Sequence, residues 1–397
     1  MGTHKMRPGH WRGRWTAPRE SDLRRALSCR SSQLPMNTYM TDTVVTQVKR
    51  LSPSKSEITD EYERSHYWTI MLRFWKLPSH ILHFPGANPM SIEESDFSRL
   101  ETDDFLAALK TDGVRHLLLM TTKPNSLDPI AIMIDRAKKM YEVEIWANED
   151  FFCSGSLYDG ELVWEKDSLV YIVFDVILAK GVSCSRLSYR ERMSILHNTI
   201  LCTGDIHTDD SIEAMIHEEN KFLARNNDNG LRIIPKKIVP KASLRSLWEE
   251  RAQCGHRNDG IIFTLNSAPV ETGTSSSILK WKPSHSIDVR VETADDGMTW
   301  KIYGNMNHSG EVSDLSERMG DMTPRLSQTK LLDAIQSRQP CIIECLISLK
   351  DDEIHLIPER ERTDKTSPNT VNTIEATIRN ARENISSDDL IKLVKSS

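Results

Sequence analysis

The spacing of hydrophobic residues changes along the chain from a helical period to a strand period and back. Residues 56–76 carry apolar side chains at helical spacing behind Ser56, which predicts a helix. Short runs rich in branched and aromatic residues follow, separated by clusters of Asn, Asp, Gly or Lys, as is typical of strands. These runs are VRHLLLM, PIAIMID, YEVEIW, LYDGELVW and LVYIVFDVIL. This part of the chain therefore predicts a sheet rich in antiparallel strands.

Helical spacing returns between residues 186 and 253. Three segments carry it, RLSYRERMSILHNTIL, DDSIEAMIHEENKFLARNN and SLRSLWEERAQ, and Asp210 is the predicted cap of the second. Two strand-like runs, GIIFTL and SILKWK, come next. Strands and helices mixed within one long segment indicate an α+β domain.

The pattern changes again from about residue 286. The segment IDVRVETADDGMTWKIYGNM reads as a hairpin around Asp-Asp-Gly, and two further strand-like runs are PCIIECLIS and EIHLIPE. Several short strands in a small region predict a small β-barrel. The C-terminal segment, TVNTIEATIRNARENISSDDLIKLVKSS, predicts two helices.

Composition narrows the class of protein. The 397 residues exceed one ordinary domain, and 38% hydrophobic and 27% charged residues are typical of a globular chain. The formal net charge of -6 argues against a nucleic-acid coat protein, although it allows a local basic groove. The longest apolar run, 169–179, is interrupted by Asp175 and is too short to span a bilayer, so no membrane association is predicted. The seven cysteines form no CxxC pair, which favours free thiols.

The first 35 residues are rich in Arg and Ser and lack apolar periodicity, which predicts a disordered tail. A targeting leader, a basic RNA-contacting tail and an extension upstream of Met36 or Met40 are alternatives for this segment. Glu20 and Asp22 weaken the leader interpretation, because such leaders are poor in acidic residues.

The first candidate for chemistry is Lys110, in the stretch LKTDGVR. A solvated lysine beside a surface turn is the simpler interpretation, because a short Lys-x-Asp-Gly pattern is common by chance. The functional interpretation makes the Lys110 amine a nucleophile that attacks phosphorus. It requires cations for phosphates, carboxylates for a metal and an aromatic face for a base.

The chain supplies all three kinds of residue at short motifs. Asp175 interrupts an otherwise apolar strand, and Asp259-Gly260 precedes a strand just as Asp112-Gly113 does. Strand alternation puts Lys280 and Lys282 on one face, where they would bind an anion. The motifs in chain order are KTDGVR (110–115), DGE (159–161), FD (174–175), DGIIF (259–263), KWKP (280–283) and RTDKTSPN (362–369).

In this order the motifs resemble those of eukaryotic and viral mRNA guanylyltransferases, the RNA capping enzymes of the covalent nucleotidyltransferase superfamily. The resemblance covers residues 84–370. It implies an α+β fold in which a nucleotidyltransferase domain of the DNA-ligase type, ATP-grasp-like and with antiparallel sheets, precedes a C-terminal OB-fold β-barrel. The expected boundaries are a disordered basic tail over 1–40, the nucleotidyltransferase domain over 41–285, the OB-fold over 286–370, and C-terminal helices over 371–397 that pack back on the nucleotidyltransferase domain.

The resemblance also implies a reaction. Lys110 would attack the α-phosphate of GTP, expel pyrophosphate and carry GMP, which then passes to a 5′-diphosphate RNA end to give GpppN-RNA. Lys280 and Lys282 would bind the α-phosphate and, as like charges, help Lys110 to lose its proton. The remaining roles implied are ribose contacts for Arg115 and Glu161, stacking on guanine for Phe174, reading of the base edge for Thr111 and Lys237, Mg²⁺ or Mn²⁺ ligation for Asp259 and Glu161, and β- and γ-phosphate contacts for Arg362 and Lys365.

The alternatives are an ATP-dependent polynucleotide ligase of the same superfamily and a catalytically inactive subunit of a capping complex. The KWKP run and the RTDKTSPN element favour capping. Because the chain shows no phosphatase loop and no tunnel of facing carboxylates, the RNA triphosphatase and the cap methyltransferase are expected to be separate partners, and RNA polymerase is a further candidate. The expected location is the nucleus for a cellular protein, and the cytoplasm or virion for a viral one.

Overall fold

A computed structural model describes residues 57–165, 168–200, 221–224, 231–294, 299–306, 310–319, 322, 331, 340–351, 353–363 and 365–395. The described residues divide into two compact units. The first contains the described residues up to His80 with those of Gly113–Ser183 and Ser194–Pro235, and the second contains those of Ile81–Asp112, Cys184–Met193 and Lys236–Ser397.

The first unit is built on a seven-stranded sheet with helices packed against it. Its strand order is β11-β8-β7-β3-β4-β5, with β9 paired to β8, and every pair is antiparallel except β11 with β8. The strands are β3 (Val114–Thr122), β4 (Pro129–Asp135), β5 (Met140–Val143), β7 (Ser156–Glu165), β8 (Ser168–Ala179), β9 (Val182–Ser183) and β11 (Arg232–Pro235). Two short strands, β6 (Ile145–Trp146) and β10 (Leu223–Ala224), form a separate pair, and a single-turn helix, α3, spans Asp150–Cys153.

Helix α1 (Glu61–Trp75) covers this sheet with buried side chains that include Tyr67, Met71 and Leu72. The helix begins after Asp60, whose carboxylate accepts a hydrogen bond of 2.9 Å from the backbone N–H of Glu63. The predicted helix is confirmed, but its predicted start near Ser56 was wrong. Residues 57–60 are not helical, because Asp60 supplies the N-cap.

The second unit contains two sheets, and the first of them carries the candidate nucleophile. Its strand order is β1-β14-β13-β2-β12, with only β1 and β14 parallel. The strands are β1 (Asn88–Ser91), β2 (Phe105–Thr111), β12 (Val239–Pro240), β13 (Asn258–Leu265) and β14 (Thr274–Trp281). Short helices α2 (Phe97–Thr102) and α5 (Leu244–Glu249) lie in this part of the chain, and α4 (Tyr189–Thr199) crosses from the second unit into the first.

The C-terminal sheet of the second unit is five-stranded and antiparallel, in the order β17-β16-β15-β18-β19. The strands are β15 (Ser286–Thr293), β16 (Trp300–Asn305), β17 (Val312–Asp314), β18 (Cys341–Lys350) and β19 (Glu353–Glu361). The hairpin of β15 and β16 and the strands β18 and β19 were predicted from the sequence and are confirmed. No closed barrel forms among the described strands, so the confirmed fold class is α+β with antiparallel sheets.

The two C-terminal helices are confirmed as α6 (Val371–Glu383) and α7 (Ser387–Leu393). Ile374 and Ile378 of α6 enter the core of the C-terminal sheet, whereas Leu390 and Ile391 of α7 enter the core beneath β2, β13 and β14. The Asn380 amide also donates a hydrogen bond of 3.1 Å to the Ile92 carbonyl, beside β1. The C-terminal helices therefore pack on both sheets of the second unit.

The remaining predictions have mixed outcomes. Of the predicted helix at 209–227, most residues lie outside the described part, and residues 223–224 form strand β10 instead. The predicted tail and Asp210 also lie outside it. Within the described residues, the cysteines at 153, 184, 254, 341 and 345 form no disulfide. Across the described ranges, no helix is both long enough and apolar enough to cross a membrane.

Candidate active site

Three neighbouring strands of the second unit bring Lys110, Asp259 and Lys282 together. Lys110 lies near the end of β2, Asp259 on β13, and Lys282 directly after β14. The Nζ atom of Lys110 is 2.7 Å from Asp259 Oδ1, and the Nζ atom of Lys282 is 2.7 Å from Asp259 Oδ2. One carboxylate therefore holds two ammonium groups, one on each oxygen.

A β-bulge aims Asp259 at Lys110. Asn258 pairs with Thr111 and Gly260 pairs with Lys110, so Asp259 is an extra residue in its strand. Gly260 makes the bulge possible, because a Cβ atom there would lie 1.9 Å from the backbone oxygen of Trp281. In this motif Asp259 therefore supplies the carboxylate. Gly260 lets β14 approach closely enough for Lys282 to reach that carboxylate.

The charge state of Asp259 follows from its neighbours. Burial alone would raise the pKa of its carboxyl group, but the charges of Lys110 and Lys282 and their hydrogen bonds outweigh burial and lower the pKa. Asp259 is therefore ionised at neutral pH. From the sequence, Lys280 and Lys282 are expected to act on Lys110 as like charges, but the pairing of the Asp259 carboxylate with both Lys110 and Lys282 was not predicted.

Thr111 lies beside Lys236 and not beside Lys237. The Lys236 Nζ donates a hydrogen bond to Thr111 Oγ1, and both residues are buried. The Nζ of Lys237 instead contacts the exposed carboxylate of Glu250, and the Lys237 side chain is 65% exposed. Of the two adjacent lysines, the structure brings Lys236 to the predicted site residue Thr111.

In the first unit, Arg115, Asp159 and Phe174 form a second group. Arg115 Nε donates to Asp159 Oδ1 at 2.9 Å, and its guanidinium carbon lies 5.3 Å from the centre of the Phe174 ring. Burial alone would lower the pKa of Arg115, but Asp159 outweighs it and raises the pKa. Glu161 is paired in register with Arg115 across β3 and β7, and its side chain is half-buried. Three predicted nucleoside-binding residues, Arg115, Glu161 and Phe174, therefore lie on adjacent strands.

A second bulge sets Phe174 apart from the regular strand. Asp159 pairs with Asp175 and Gly160 pairs with Val173, which leaves Phe174 as the extra residue of β8. Gly160 lies tightly against β8, because a Cβ atom there would lie 2.6 Å from Tyr171 Cζ. As at Asp259, the Gly of the motif permits close packing, and the bulge re-aims a side chain expected to be functional.

Arg362 and Lys365 are bound to the C-terminal sheet. Arg362 Nη1 lies 2.9 Å from Asp288 Oδ1 and 3.6 Å from Glu344 Oε2, and the Lys365 Nζ also contacts Asp288. Asp288 is only 5% exposed. Sequence reasoning missed this acidic pair, although Asp288 interrupts the apolar strand IDVRV in the way that Asp175 interrupts β8.

A divalent cation fits this site only in one binding mode. Within the described residues, no three His, Cys, Asp or Glu side chains form a group that could hold a metal. Mg²⁺ in phosphoryl-transfer sites is commonly bound by one or two carboxylates together with substrate phosphates and water. The ionised Asp259 carboxylate suits that mode, provided that the cation takes the place of a lysine contact.

Relatives of the chain are curated as capping enzymes. The fission yeast (Schizosaccharomyces pombe) mRNA-capping enzyme subunit alpha is 26% identical over 338 residues, covering 78% of this chain and 79% of that protein. The mRNA-capping enzymes of Caenorhabditis elegans and Mus musculus are 26% and 23% identical, each over 78% of this chain. The chain spans about half the length of these two relatives (49% of each).

Solved structures and a family model complete the comparison. A mycobacterial DNA ligase D complexed with ATP and MES covers 70% of the chain and 96% of its own length, with 13% identity and a TM-score of 0.36, which is too low to support a conclusion. The model of the mRNA capping enzyme catalytic domain matches residues 48–284. That match covers more than half of the chain, includes Lys110, Asp259 and Lys282, and confirms the resemblance seen in the motifs. The chain belongs to the mRNA capping enzyme family.

Proposed function

We propose that this chain is the guanylyltransferase of mRNA capping, which forms lysyl-GMP from GTP and transfers the GMP to 5′-diphosphate RNA. One observation carries the proposal: Asp259 holds the amines of Lys110 and Lys282 on a single carboxylate. The arrangement keeps a nucleophile and a phosphate-binding cation side by side. Phosphoryl transfer depends mainly on such positioning and charge neutralisation.

In the first half-reaction, the Lys110 Nζ must lose one proton to solvent before it can attack. It then bonds to the α-phosphorus of GTP, and the bond from that phosphorus to the pyrophosphate oxygen breaks. Once the P–N bond has formed, the Lys110 Nζ loses a second proton to solvent. Lys282 remains positively charged and binds α-phosphate oxygens. Asp259 is the residue that would hold Mg²⁺ or Mn²⁺, with Glu161 as a second candidate ligand, and the bound ion would neutralise phosphate charge.

The base and the sugar are assigned to two groups of residues. Phe174 stacks on the guanine, and Arg115 and Glu161 bind ribose hydroxyls. Lys236, in place of Lys237, reads the base edge together with Thr111. An ammonium group can only donate hydrogen bonds, so it suits the guanine O6 acceptor and is mismatched to the adenine amino group. This chemistry favours GTP over ATP.

Arg362 and Lys365 are assigned to the β- and γ-phosphates. We propose that the C-terminal five-stranded sheet belongs to an OB-fold, and that this domain moves to deliver the two residues when GTP binds. Their contacts with Asp288 and Glu344 would then be exchanged for phosphate contacts. We expect Arg362→Ala to slow lysyl-GMP formation at least about tenfold, equivalent to about 1.4 kcal/mol. GMP transfer from preformed lysyl-GMP should be unchanged, and normal lysyl-GMP formation would contradict the closure idea.

The proposal requires other proteins. A separate RNA triphosphatase must supply the 5′-diphosphate end, and a cap methyltransferase must act on the product. RNA polymerase is a further proposed partner. The term subunit alpha in the name of the fission yeast relative is consistent with a multi-subunit assembly. We propose a nuclear location for a cellular protein, and the cytoplasm or virion for a viral one.

The decisive experiment incubates the protein with α-labelled GTP or α-labelled ATP and a divalent cation, followed by denaturing electrophoresis. The proposal predicts label on the protein from GTP and its removal by added pyrophosphate. Label from ATP alone would indicate a ligase. Absence of label from both nucleotides would indicate an inactive subunit.

A further inference from the structure

A small polar cavity adjoins the lysine pair in the second unit. It lies where β14 ends and β15 begins, and α6 closes one side of it. Its volume is about 110 Å³. That volume exceeds what one water needs and is well below the roughly 300 Å³ at which ligand pockets begin. The cavity therefore suits a group the size of a phosphate and not a nucleoside.

The lining of the cavity favours an anion. Lys280 and Lys282 supply two positive charges, Ser91 and Ser284 supply hydroxyl groups, and Asn380 supplies an amide. No Asp or Glu belongs to the described lining. His285 also lines the cavity, and burial, followed by the charge of Lys282, lowers its pKa. The neutral ring can donate one N–H.

The cavity is connected to the reaction centre through Lys282. Lys282 lines the cavity and shares the Asp259 carboxylate with Lys110. A phosphate bound in the cavity would therefore contact a lysine that shares its carboxylate partner with the amine that carries GMP in the proposed function. In this structure Asp288 holds Arg362 and Lys365. Lys282, which binds the α-phosphate in the proposed function, and Lys280 both line the cavity in which a second phosphate substrate would lie.

We propose that this cavity binds the 5′-diphosphate end of the acceptor RNA in the second half-reaction. The inference rests on the proposed guanylyltransferase function and extends it to an acceptor site. A terminal phosphate oxygen of the RNA attacks the phosphorus of lysyl-GMP, a P–O bond forms and the P–N bond breaks. The Lys110 Nζ, which keeps one hydrogen in lysyl-GMP, takes up two protons from solvent and returns as the ammonium group that Asp259 holds.

The two half-reactions can be tested separately with Ser284→Asp. Ser284 is exposed at the cavity, so the substitution adds a repelling carboxylate without disturbing a packed core. Lysyl-GMP is first formed with GTP, isolated, and then mixed with increasing concentrations of 5′-diphosphate RNA. We expect the RNA concentration for half-maximal transfer to rise about tenfold or more. The maximal rate at saturating RNA, and the rate of lysyl-GMP formation at saturating GTP, should stay within about twofold.

Two further variants complete the design. His285→Ala removes a donor from the same cavity and should also raise the half-maximal RNA concentration. Ser246→Asp places the same new charge on an exposed position of α5 and should change neither step. An equal loss in both half-reactions of Ser284→Asp would assign the cavity to GTP and overturn the inference, as would unchanged RNA dependence. Absence of lysyl-GMP in the wild-type protein would instead contradict the proposed function, before any RNA is added.

Discussion

Replacing Asp259 by Asn removes the single negative charge that Lys110 and Lys282 share. Each amine lies 2.7 Å from a carboxylate oxygen, which corresponds to a gross attraction of about 6 kcal/mol per pair at an effective dielectric constant of about 20. Desolvation and side-chain ordering offset most of it. The side chains are 21% (Lys110), 31% (Asp259) and 37% (Lys282) exposed, so solvent also screens the pairs. A net contribution of about 1 kcal/mol per pair remains.

We therefore expect Asp259→Asn to lower the free energy of unfolding by about 1–2 kcal/mol at pH 7. Because the pKa of Asp259 is lowered in the folded protein, this contribution is present above the unfolded-state value of about 3.9 and is lost as pH falls through the folded value. Urea denaturation between pH 7 and pH 3 measures it. The difference between the two proteins should stay constant down to about pH 5 and shrink below about pH 4.

The same substitution should affect chemistry more than stability. Without the carboxylate, the two amines repel each other and the proposed cation loses its ligand, so lysyl-GMP formation should fall by about 100-fold or more. A matched control for stability is Asp112→Asn. The Asp112 Oδ2 atom lies 3.5 Å from Arg257 Nε, and the Arg257 side chain is 67% exposed, so this ion pair is weak. Its unfolding free energy should change by less than about 0.5 kcal/mol. Near-normal lysyl-GMP formation by Asp259→Asn would refute the reasoning.

Three other substitutions test the site geometry. Gly260→Ala puts a Cβ atom 1.9 Å from the Trp281 carbonyl oxygen, so β13 and β14 must separate. Thermal denaturation should show that the free energy of unfolding falls by about 2–4 kcal/mol. Unchanged stability would show that the bulge has room for a Cβ atom. Lys236→Met should reduce the preference for GTP over ATP by at least about tenfold in competition labelling, whereas Lys237→Met should leave it unchanged. The reverse result would return the base-reading role to Lys237.

Local patterns predicted most of the strands of the structure. Branched and aromatic runs identified β3, β4, β7 and β8, because each is a contiguous strand with a strong period or a fully buried face. The start of α1 was misplaced by the same local reasoning. Ser and Asp are both residue types that favour helix N-caps, but only Asp60 is followed by a Glu three positions later, which is the stronger sequence signal.

The arrangement of the site depends on pairing between distant segments. The sequence indicated Lys110, Asp259 and Lys282 as separate motifs, but their meeting on one carboxylate requires β13 to lie between β2 and β14. No local sequence pattern predicts that strand order. Lys236 and Lys237 could not be separated either, because they lie outside a regular strand, where alternation does not assign a face.

Attachment of GMP to Lys110 is the central claim, and locating the attached nucleotide tests it most directly. The protein is incubated with α-labelled GTP and a divalent cation, digested, and the labelled peptide is identified by mass spectrometry. The account predicts GMP on the side chain of Lys110, and no labelled protein from Lys110→Arg, which keeps the positive charge beside Asp259 but loses the nucleophilic amine. GMP attached to another residue, or undiminished labelling of Lys110→Arg, would contradict it.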